Sequence, residues 1–572
     1  MWFLTTGVFS FYLLYSIVII LFPIYRYYVA INGLVSIFGI ALFSMWCALV
    51  AGGNQFLFYE EAYYIEFLSA NYELGSIDLS LSFALTSLSF LFLFLVISIG
   101  FAATLYTLNY FKNEADEGLF LFWLNAFIAS MSLLILSNNY FTFFLGWELI
   151  GLTSFFLINF WTAKRSTLKA SFKAFSFNLL SDLCLLIGFV NLYLYAGTAD
   201  ISLVTLLIEL SAYTTSYYLN IAAISLFICA SIKSVQIGGH LWLPDSMEAP
   251  VPASALIHSA TLVSAGVYLL LKFFNLFLIV NFLPIILYIG ALTAGYGGVV
   301  AASQTDLKKL LAYSTMSHCG FLFILVSFGF FIPTIIYLYL HGIFKATTFF
   351  CAGSFIRVFK SQDMRLMGIA SRVLPIDTAL LIICAGNLGG LPFTFGYLYK
   401  FFFIKTLLVT THHLVSFGFI VLGLLSSILY VYKIIYYSSF DYLKGNFNQV
   451  ITWLQGATFN ISLYSTLSTP ITFYTTIFLL ILAFGVYVLG YYLIMGVLID
   501  LLTISDWYSS FILLIRYYSL LYLPYILVFY FFYILIIIYL FIVEGRFKFL
   551  KHKAFYSYIF ILLGLFTLVI SL

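Results

Sequence analysis

Seven ionisable side chains stand out because they fall inside or beside apolar runs: Glu148, Asp182, Lys233, His258, His341, Lys345 and Lys400. A charge at the centre of a bilayer costs ~2.5–3.5 kcal/mol on insertion scales, so the charges that persist there usually face a partner or a water-filled cavity and mark ion or proton paths. Lysine, unlike arginine, can release its proton when buried, and histidine exchanges protons near neutrality. A carboxylate beside either one can hold or free the charge. The chemistry on offer is therefore stepwise proton transfer. Each residue also has a static reading. Glu148 and Lys233 can form a fixed ion pair, Asp182 and His258 can simply hydrogen-bond to neighbours, and Lys400 can reach toward the membrane surface. His318 and Lys272 read as lying nearer span ends, and Asp306, beside Lys308 and Lys309, reads as structural.

The spacing around these residues sharpens the reading. An apolar run from Leu219 to Ile232 ends at Lys233, and Gly238, Gly239, Pro244, Pro250 and Pro252 follow. Proline cannot continue a regular helix without losing donors, so a bent connection is expected over 240–253. The next span starts near Ser254 and carries His258 one turn in, followed by small residues (Ala260, Ser264, Ala265, Gly266) that let a neighbouring helix approach. His341 and Lys345 are four residues apart and so share one helix face. A second interrupted span, NLGGLPFTFGYLYK at 387–400, ends in Lys400. Paired broken helices in two halves of a chain are a pointer to an ion path.

These residues must be positioned by membrane helices. The chain has 572 residues, 64% hydrophobic and 8% charged, with a mean hydropathy of +1.11, which excludes a soluble globular class. About 14–16 apolar runs are long enough to cross a bilayer as helices. The expected fold is an all-α polytopic membrane protein. The first run, 3–25, reads as a true span because it has neither a basic leader nor a small-residue cleavage site. The six cysteines lie scattered in apolar segments without a CxxC pair, and no phosphate loop or dinucleotide fingerprint is found. The expectation is a chain with no metal and no redox cofactor of its own. The net charge of +3 is too small to imply nucleic acid.

In chain order, spans are expected at 3–25, 30–52, 82–108, 119–137, 139–162, 173–197, 217–239, 254–278, 282–303, 310–331, 333–356, 376–408 and 413–438, then at 472–500 and 553–572. The acidic segment 54–81 ends in IDLSLSF, which alternates like a short strand. The apolar run 507–545 is either two spans or one helix lying along the membrane. Lys164, Arg165, Lys169 and Lys173 fall in one expected loop, Lys308 and Lys309 in a second, and Arg357, Lys360, Arg365 and Arg372 in a third, all on one side by the span count. Four regions result: 1–118 with the N-terminal spans and acidic loop, 119–278 and 279–438 as two inverted five-helix repeats, and 439–572 with the C-terminal spans and a possible lateral helix.

Four segments, FLGWELIG (144–151), HLWLPDSMEAPVPASALIHSATLVSAGVYL (240–269), TDLKKLLAYSTMSHCG (305–320) and HGIFKA (341–346), resemble the NADH:ubiquinone oxidoreductase chain 5 family, the distal antiporter-like membrane subunits of respiratory complex I. The resemblance covers about 80–435. It implies that Glu148 and Lys233 form the carboxylate–lysine pair of a first half-channel, that His258 and Lys345 are the connecting central relay, that Lys400 is the lysine of a second half-channel, and that Asp182 and Asp306 match acidic positions; His341, on one stripe with Lys345, reads as a further relay step. Three positions depart from the family. Tyr337 stands where a histidine is frequent, so that relay step needs water or the tyrosine hydroxyl. Phe401 stands where an acid follows the lysine, and Leu179 where an arginine precedes the aspartate.

The resemblance further implies a proton-translocating role coupled to electron transfer from NADH to ubiquinone, with NADH, FMN, iron–sulfur clusters and ubiquinone held by other subunits. The expected partners are other membrane-arm subunits, especially an adjacent antiporter-like subunit, and lipids. The expected location is the mitochondrial inner membrane, which the abundance of Phe (66) and Tyr (45) suits, with a bacterial plasma membrane as the alternative. Two rivals share the motifs: the large subunit of a multi-subunit cation/proton antiporter, distinguished by sodium-dependent transport without NADH, and a non-pumping scaffold, which the lysines at both broken spans argue against.

Overall fold

The computed structural model describes residues 63–67 and 81–441, apart from 112–113, 115, 211–215, 260, 369, 392–393, 395, 398–399 and 401–413. The spans expected at 3–25, 30–52, 472–500 and 553–572, and the lateral helix expected within 507–545, lie outside the described residues.

A two-stranded antiparallel hairpin comes first. β1 (Tyr63–Phe67) pairs with β2 (Leu81–Leu85), Tyr63 opposite Leu85 and Phe67 opposite Leu81. The alternation read at 77–83 thus ends in a real strand. Helices follow: α1 (Ser87–Tyr110), α2 (Glu117–Leu136), α3 (Tyr140–Ile158), α4 (Arg165–Ala196), α5 (Ile201–Leu210) and α6 (Tyr217–Lys233). After a bent connection come α7 (Val251–Ser259), α8 (Leu262–Lys272), α9 (Phe274–Ile279), α10 (Leu283–Ser303), α11 (Leu307–Ser327) and α12 (Phe331–Phe359). The last are α13 (Ala370–Val373), α14 (Pro375–Gly389) and α15 (Leu414–Ile435). Among the described residues nine spans are long and apolar enough to cross a membrane, counting α7 and α8 together as one, and α5, α6 and α14 are shorter apolar helices.

Two differences from the expected spans have physical causes. Arg165, Lys169 and Lys173 lie in the first turns of α4 rather than in a loop, because lysine and arginine are good helix formers and the helix runs on past its apolar part. The segment after Ala196 carries α5, an amphipathic helix whose Ile201, Val204 and Ile208 are buried.

The described residues fall into two compact units. The first runs up to Thr293 and includes Cys319–Gly329, and the second holds Ala294–His318 and the residues from Phe330 onward. In the first unit α4 packs on α3 and α6, and α8 on α6. At that last contact a β-carbon on Gly266 would collide with the Ala230 carbonyl of α6, so the small-residue stripe read from the sequence is used for close approach. Apart from Lys272 at its end, the described residues of α7 and α8 are buried. By contrast Leu179, Leu183, Leu186, Ile187, Val190 and Leu194 of α4 are exposed, as expected for a face turned to lipid.

In the second unit α14 packs against α12 and α15. The loops after α10 and α12 are tied together at one end, where Leu307 N–H donates to Gln362 O at 3.0 Å and Met364 N–H to Thr305 O at 3.1 Å. That end holds Lys308, Lys309, Lys360 and Arg365. The side shared by the second and third basic loops therefore agrees with the span count.

Candidate functional site

The first unit gathers its polar side chains where α3, α4 and α6 meet. Lys233 closes α6, is 1% exposed, and has its Nζ 3.9 Å from Asp182 Oδ1 of α4. The same Nζ lies 5.2 Å from the centroid of the Trp147 ring on α3 and has no hydrogen-bond partner among the described residues. Trp147 Nε1 donates to Ser181 Oγ at 3.0 Å, and the Ser181 hydroxyl reaches Asp182 Oδ1 at 3.4 Å. The carboxylate within ion-pair distance of Lys233 is thus Asp182, not the expected Glu148. Glu148 is half-buried one residue from Trp147 and close enough to act electrostatically on both Lys233 and Asp182. Helix periodicity explains the exchange: Trp147, not Glu148, lies on the face of α3 that packs against the pair.

Behind Lys233 the chain leaves the helix through a strained turn. Val235 has φ +61°, a conformation that costs a β-branched residue about 1–2 kcal/mol. It is held in place by Gln236, whose N–H donates to Ser231 O at 2.8 Å and whose Oε1 accepts from Thr293 Oγ1 at 2.6 Å. The expected bent connection follows, with two short 3-10 turns, His240–Trp242 and Asp245–Glu248. His258 of α7 is fully buried and its Nε2 lies 3.1 Å from Ser246 Oγ. The Ser246 hydroxyl also reaches Leu243 O at 2.6 Å, so the connection holds the imidazole of this histidine in place through one serine.

The second unit holds Lys345 at the midpoint of α12. Its fully buried Nζ donates to Leu311 O at 3.1 Å and to Ser314 Oγ of α11. His341 lies one turn earlier, with its ring centroid 5.0 Å from that of His318. His318 sits next to the midpoint of α11 and is 3% exposed, so the reading that placed it nearer a span end is corrected. Tyr337 Oη lies 2.6 Å from His318 Nδ1 and Tyr430 Oη 3.0 Å from its Nε2. Lys400 is 7% exposed, and its Nζ donates to Gly389 O at 2.9 Å and to Ser427 Oγ at 2.5 Å. It does not reach for the surface. α14 ends at Gly389, Gly390 turns with φ +69°, and the freed carbonyl becomes the lysine's acceptor, as helix C-termini favour. A cavity of about 20 Å³, room for one water, is lined by His318, Tyr337, His341, Asn387 and Lys400 among others.

The side residues take structural places. Lys272 Nζ donates to Ser137 O at 2.5 Å beyond the end of α2, and Asp306 pairs with Lys309 at 3.4 Å. Sequence reasoning undervalued His318 and did not find Tyr430, Trp147, Ser314 or Ser427. A signal existed for His318, because the run of polar residues Ser314, Thr315, Ser317 and His318 inside an apolar helix already marks a buried polar face.

A helical membrane bundle with interrupted spans ending at buried lysines defines a class, the antiporter-like transmembrane subunits. Residues 137–429, more than half of the chain, match the family described as NADH:quinone oxidoreductase/Mrp antiporter, transmembrane, and the chain belongs to that family. It is 45% identical over 379 residues to NADH-ubiquinone oxidoreductase chain 5 of Paramecium tetraurelia, covering 64% of this chain and 65% of that one. It is 32% identical over 442 residues to the chain 5 of Wickerhamomyces canadensis, covering 75% and 66%. Against the chloroplastic NAD(P)H-quinone oxidoreductase subunit 5 of Physcomitrium patens it is 34% identical over 331 residues, covering 56% and 46%. The matched part thus spans from under half to about two thirds of these relatives' length. The fold is also that of the Mrp complex from Dietzia sp., with a TM-score of 0.67 at 20% identity, covering 90% of this chain and 59% of that one.

Proposed function

We propose that this chain is a proton-translocating membrane-arm subunit of respiratory complex I in the mitochondrial inner membrane, working beside an adjacent antiporter-like subunit. It moves charge and holds no redox centre; NADH, FMN, iron–sulfur clusters and ubiquinone belong to other subunits. The likeness to NADH-ubiquinone oxidoreductase chain 5 proteins supports this reading, and one observation carries it: the buried ammonium of Lys233 faces Asp182 at 3.9 Å without a hydrogen bond.

A charge-assisted hydrogen bond closes at about 2.7–2.9 Å. This pair is poised short of contact, so a small movement of α4 against α6 changes its energy. At an effective dielectric of ~20 the attraction is about 4 kcal/mol, more than the ~2.3 kcal/mol needed to move one charge through 100 mV. Weakening the pair frees a lysine proton, and Lys345 and Lys400 supply further buried sites whose ammonium can be discharged.

The test is Lys233→Met and Lys233→Arg in the assembled complex, reading NADH–quinone turnover and protons moved per electron. Both variants should lose turnover and pumping together, because neither side chain releases a proton. Wild-type values of both quantities in either variant would overturn the reading. A second reading, a cation/proton antiporter subunit, is favoured by the joint family and by the Mrp fold; sodium-dependent transport by membranes without NADH selects it.

A further inference from the structure

α14 opens with a carboxylate that stands apart from the buried lysines and histidines. Asp377 lies in the first turn of α14 and is 2% exposed, and its Oδ2 has no hydrogen-bond partner among the described residues. The side chain hydrogen-bonds to Ser354 of α12, and no cation among the described residues is within ion-pair distance of it. The field at the start of a helix favours a carboxylate by about 0.3–2 kcal/mol, whereas burial of an unpaired ion costs several kcal/mol. Burial wins, and a carboxyl so placed takes up a proton.

Asp377 heads a ladder of polar groups between α12 and α14, which pack together. At its mouth Ser354 is half-buried, near the end of α12 that leads into the basic loop. Cys351, one turn inward, is buried and close enough to Asp377 and Cys384 to feel both. A further turn in, Thr347 donates to Cys384 Sγ at 2.9 Å. Residues 377 and 384 share one face of α14, and residues 347, 351 and 354 share one face of α12. Lys345 lies on the other side of α12, where it meets α11. One turn beyond the inner rung, Phe344 and Asn387 line the water-sized cavity that Lys400 also lines.

We propose that Asp377 is a proton-uptake site of the second unit, filled over Ser354 from the side of the basic loops and emptied inward along the α12–α14 ladder. The inference rests on the proton-translocation reading above and gives the second unit an entrance of its own, apart from Lys233. Ser354 passes its hydroxyl proton to the Asp377 carboxylate as it takes one from water. The acid then yields that proton inward through Cys351, Thr347 and Cys384, whose hydroxyl and thiol groups each pass one on as they take one. A water in the cavity delivers it to neutral Lys400. One proton enters at Ser354, one arrives on Lys400, and no electrons move.

The experiment uses the assembled complex with Asp377→Asn, Asp377→Glu, Ser354→Ala and, as the control for the underlying reading, Lys233→Met. Asparagine matches the neutral acid in shape and charge but cannot release a proton, so Asp377→Asn should assemble normally and lose turnover by about tenfold to a hundredfold. Asp377→Glu returns the acid and should recover much of the rate. Ser354→Ala should also slow turnover, which keeps the test decisive if Asp377→Asn fails to assemble. Dicyclohexylcarbodiimide reports the bound proton directly, because it adds to a protonated carboxyl: the carboxyl oxygen bonds to the reagent's central carbon, the acid proton moves to its nitrogen, and no group leaves. Mass spectrometry of the treated wild-type complex should find the adduct on Asp377, with turnover falling as it forms. If Lys233→Met abolishes pumping while assembled Asp377→Asn or Ser354→Ala keeps wild-type turnover and proton ratio, the uptake site is overturned and the broader reading stands. An adduct on other carboxyls but never on Asp377 would overturn it as well. If Lys233→Met itself keeps wild-type turnover and pumping, the broader reading falls, and the uptake site with it.

Discussion

Asp182 and Lys233 face each other across α4 and α6 at 3.9 Å, both buried, with the Trp147 ring 5.2 Å from the ammonium. Glu148, on the helix that carries Trp147, stays outside ion-pair distance. The two carboxylates therefore have separable jobs, one balancing a buried charge and the other acting on it from farther away.

Asp182→Asn should reduce the amount of assembled complex, because removing one partner strands a buried ammonium at a cost of about 3–5 kcal/mol. Glu148→Gln leaves the pair in place and should lower turnover at normal abundance. Native electrophoresis beside turnover separates the two; equal abundance with equal loss of rate would contradict the division.

Gly390→Ala should act on Lys400. A β-carbon there would stand 2.5 Å from Lys400 Cδ, and the φ of +69° is strained for alanine by about 1–2 kcal/mol. The ammonium then leaves Gly389 O and Ser427, so turnover should drop together with the proton ratio. Lys400→Met should reproduce the loss by removing the charge itself. A Gly390→Ala complex with unchanged kinetics would show that the helix-end acceptor does not matter.

The loop after α12 has its own pH response. Arg365 donates side-chain hydrogen bonds to Asp363, at 2.6 Å for the shortest, and holds that carboxyl below the usual range. A depressed carboxylate stabilises above its unfolded pKa of about 3.9 and loses that effect as pH falls through the lower folded value. Protection of the Leu307 and Met364 amides, with the intrinsic pH dependence of exchange divided out, should therefore hold from neutral pH down to about 5 and fall in more acid. In Arg365→Gln that acid fall should shrink, because the carboxyl then titrates more nearly alike in the folded and unfolded chain; an unchanged fall would remove Arg365 as the cause.

Cysteines placed at Lys309 and Arg365 should label from one side of the membrane, and a cysteine at Phe331, at the far end of α12, from the other. Labelling of 309 and 365 from opposite sides would contradict the backbone bridge between their loops.

Most spans between α1 and α15 were legible because long apolar runs in a membrane chain leave few alternatives, and proline and glycine marked both breaks, but α5 and the division of the run expected at 254–278 into α7, α8 and α9 were not. The partner of Lys233 was not legible. Glu148 and Trp147 are adjacent, and which of them faces α6 depends on the rotation of α3, which apolar periodicity cannot set when every face is hydrophobic. For Lys400 two readings stayed open, a site lysine and one reaching for the surface, because the sequence shows the break but not that the freed Gly389 carbonyl folds back onto the lysine. The proline-rich connection was read as a bend, yet the contact of its Ser246 with His258 was not legible.

Up to Leu271, the described residues of α7 and α8 are buried against protein. Such a segment has no boundary with lipid, so it cannot take its final position before the helices around it are in the bilayer. During synthesis it must wait at the insertion machinery or in a provisional lipid-facing pose, and it settles when its neighbours close over it. Substitutions on α7 and α8 should therefore act first on the order and yield of membrane integration, and bilayer thickness should reach His258 only through the helices that surround it.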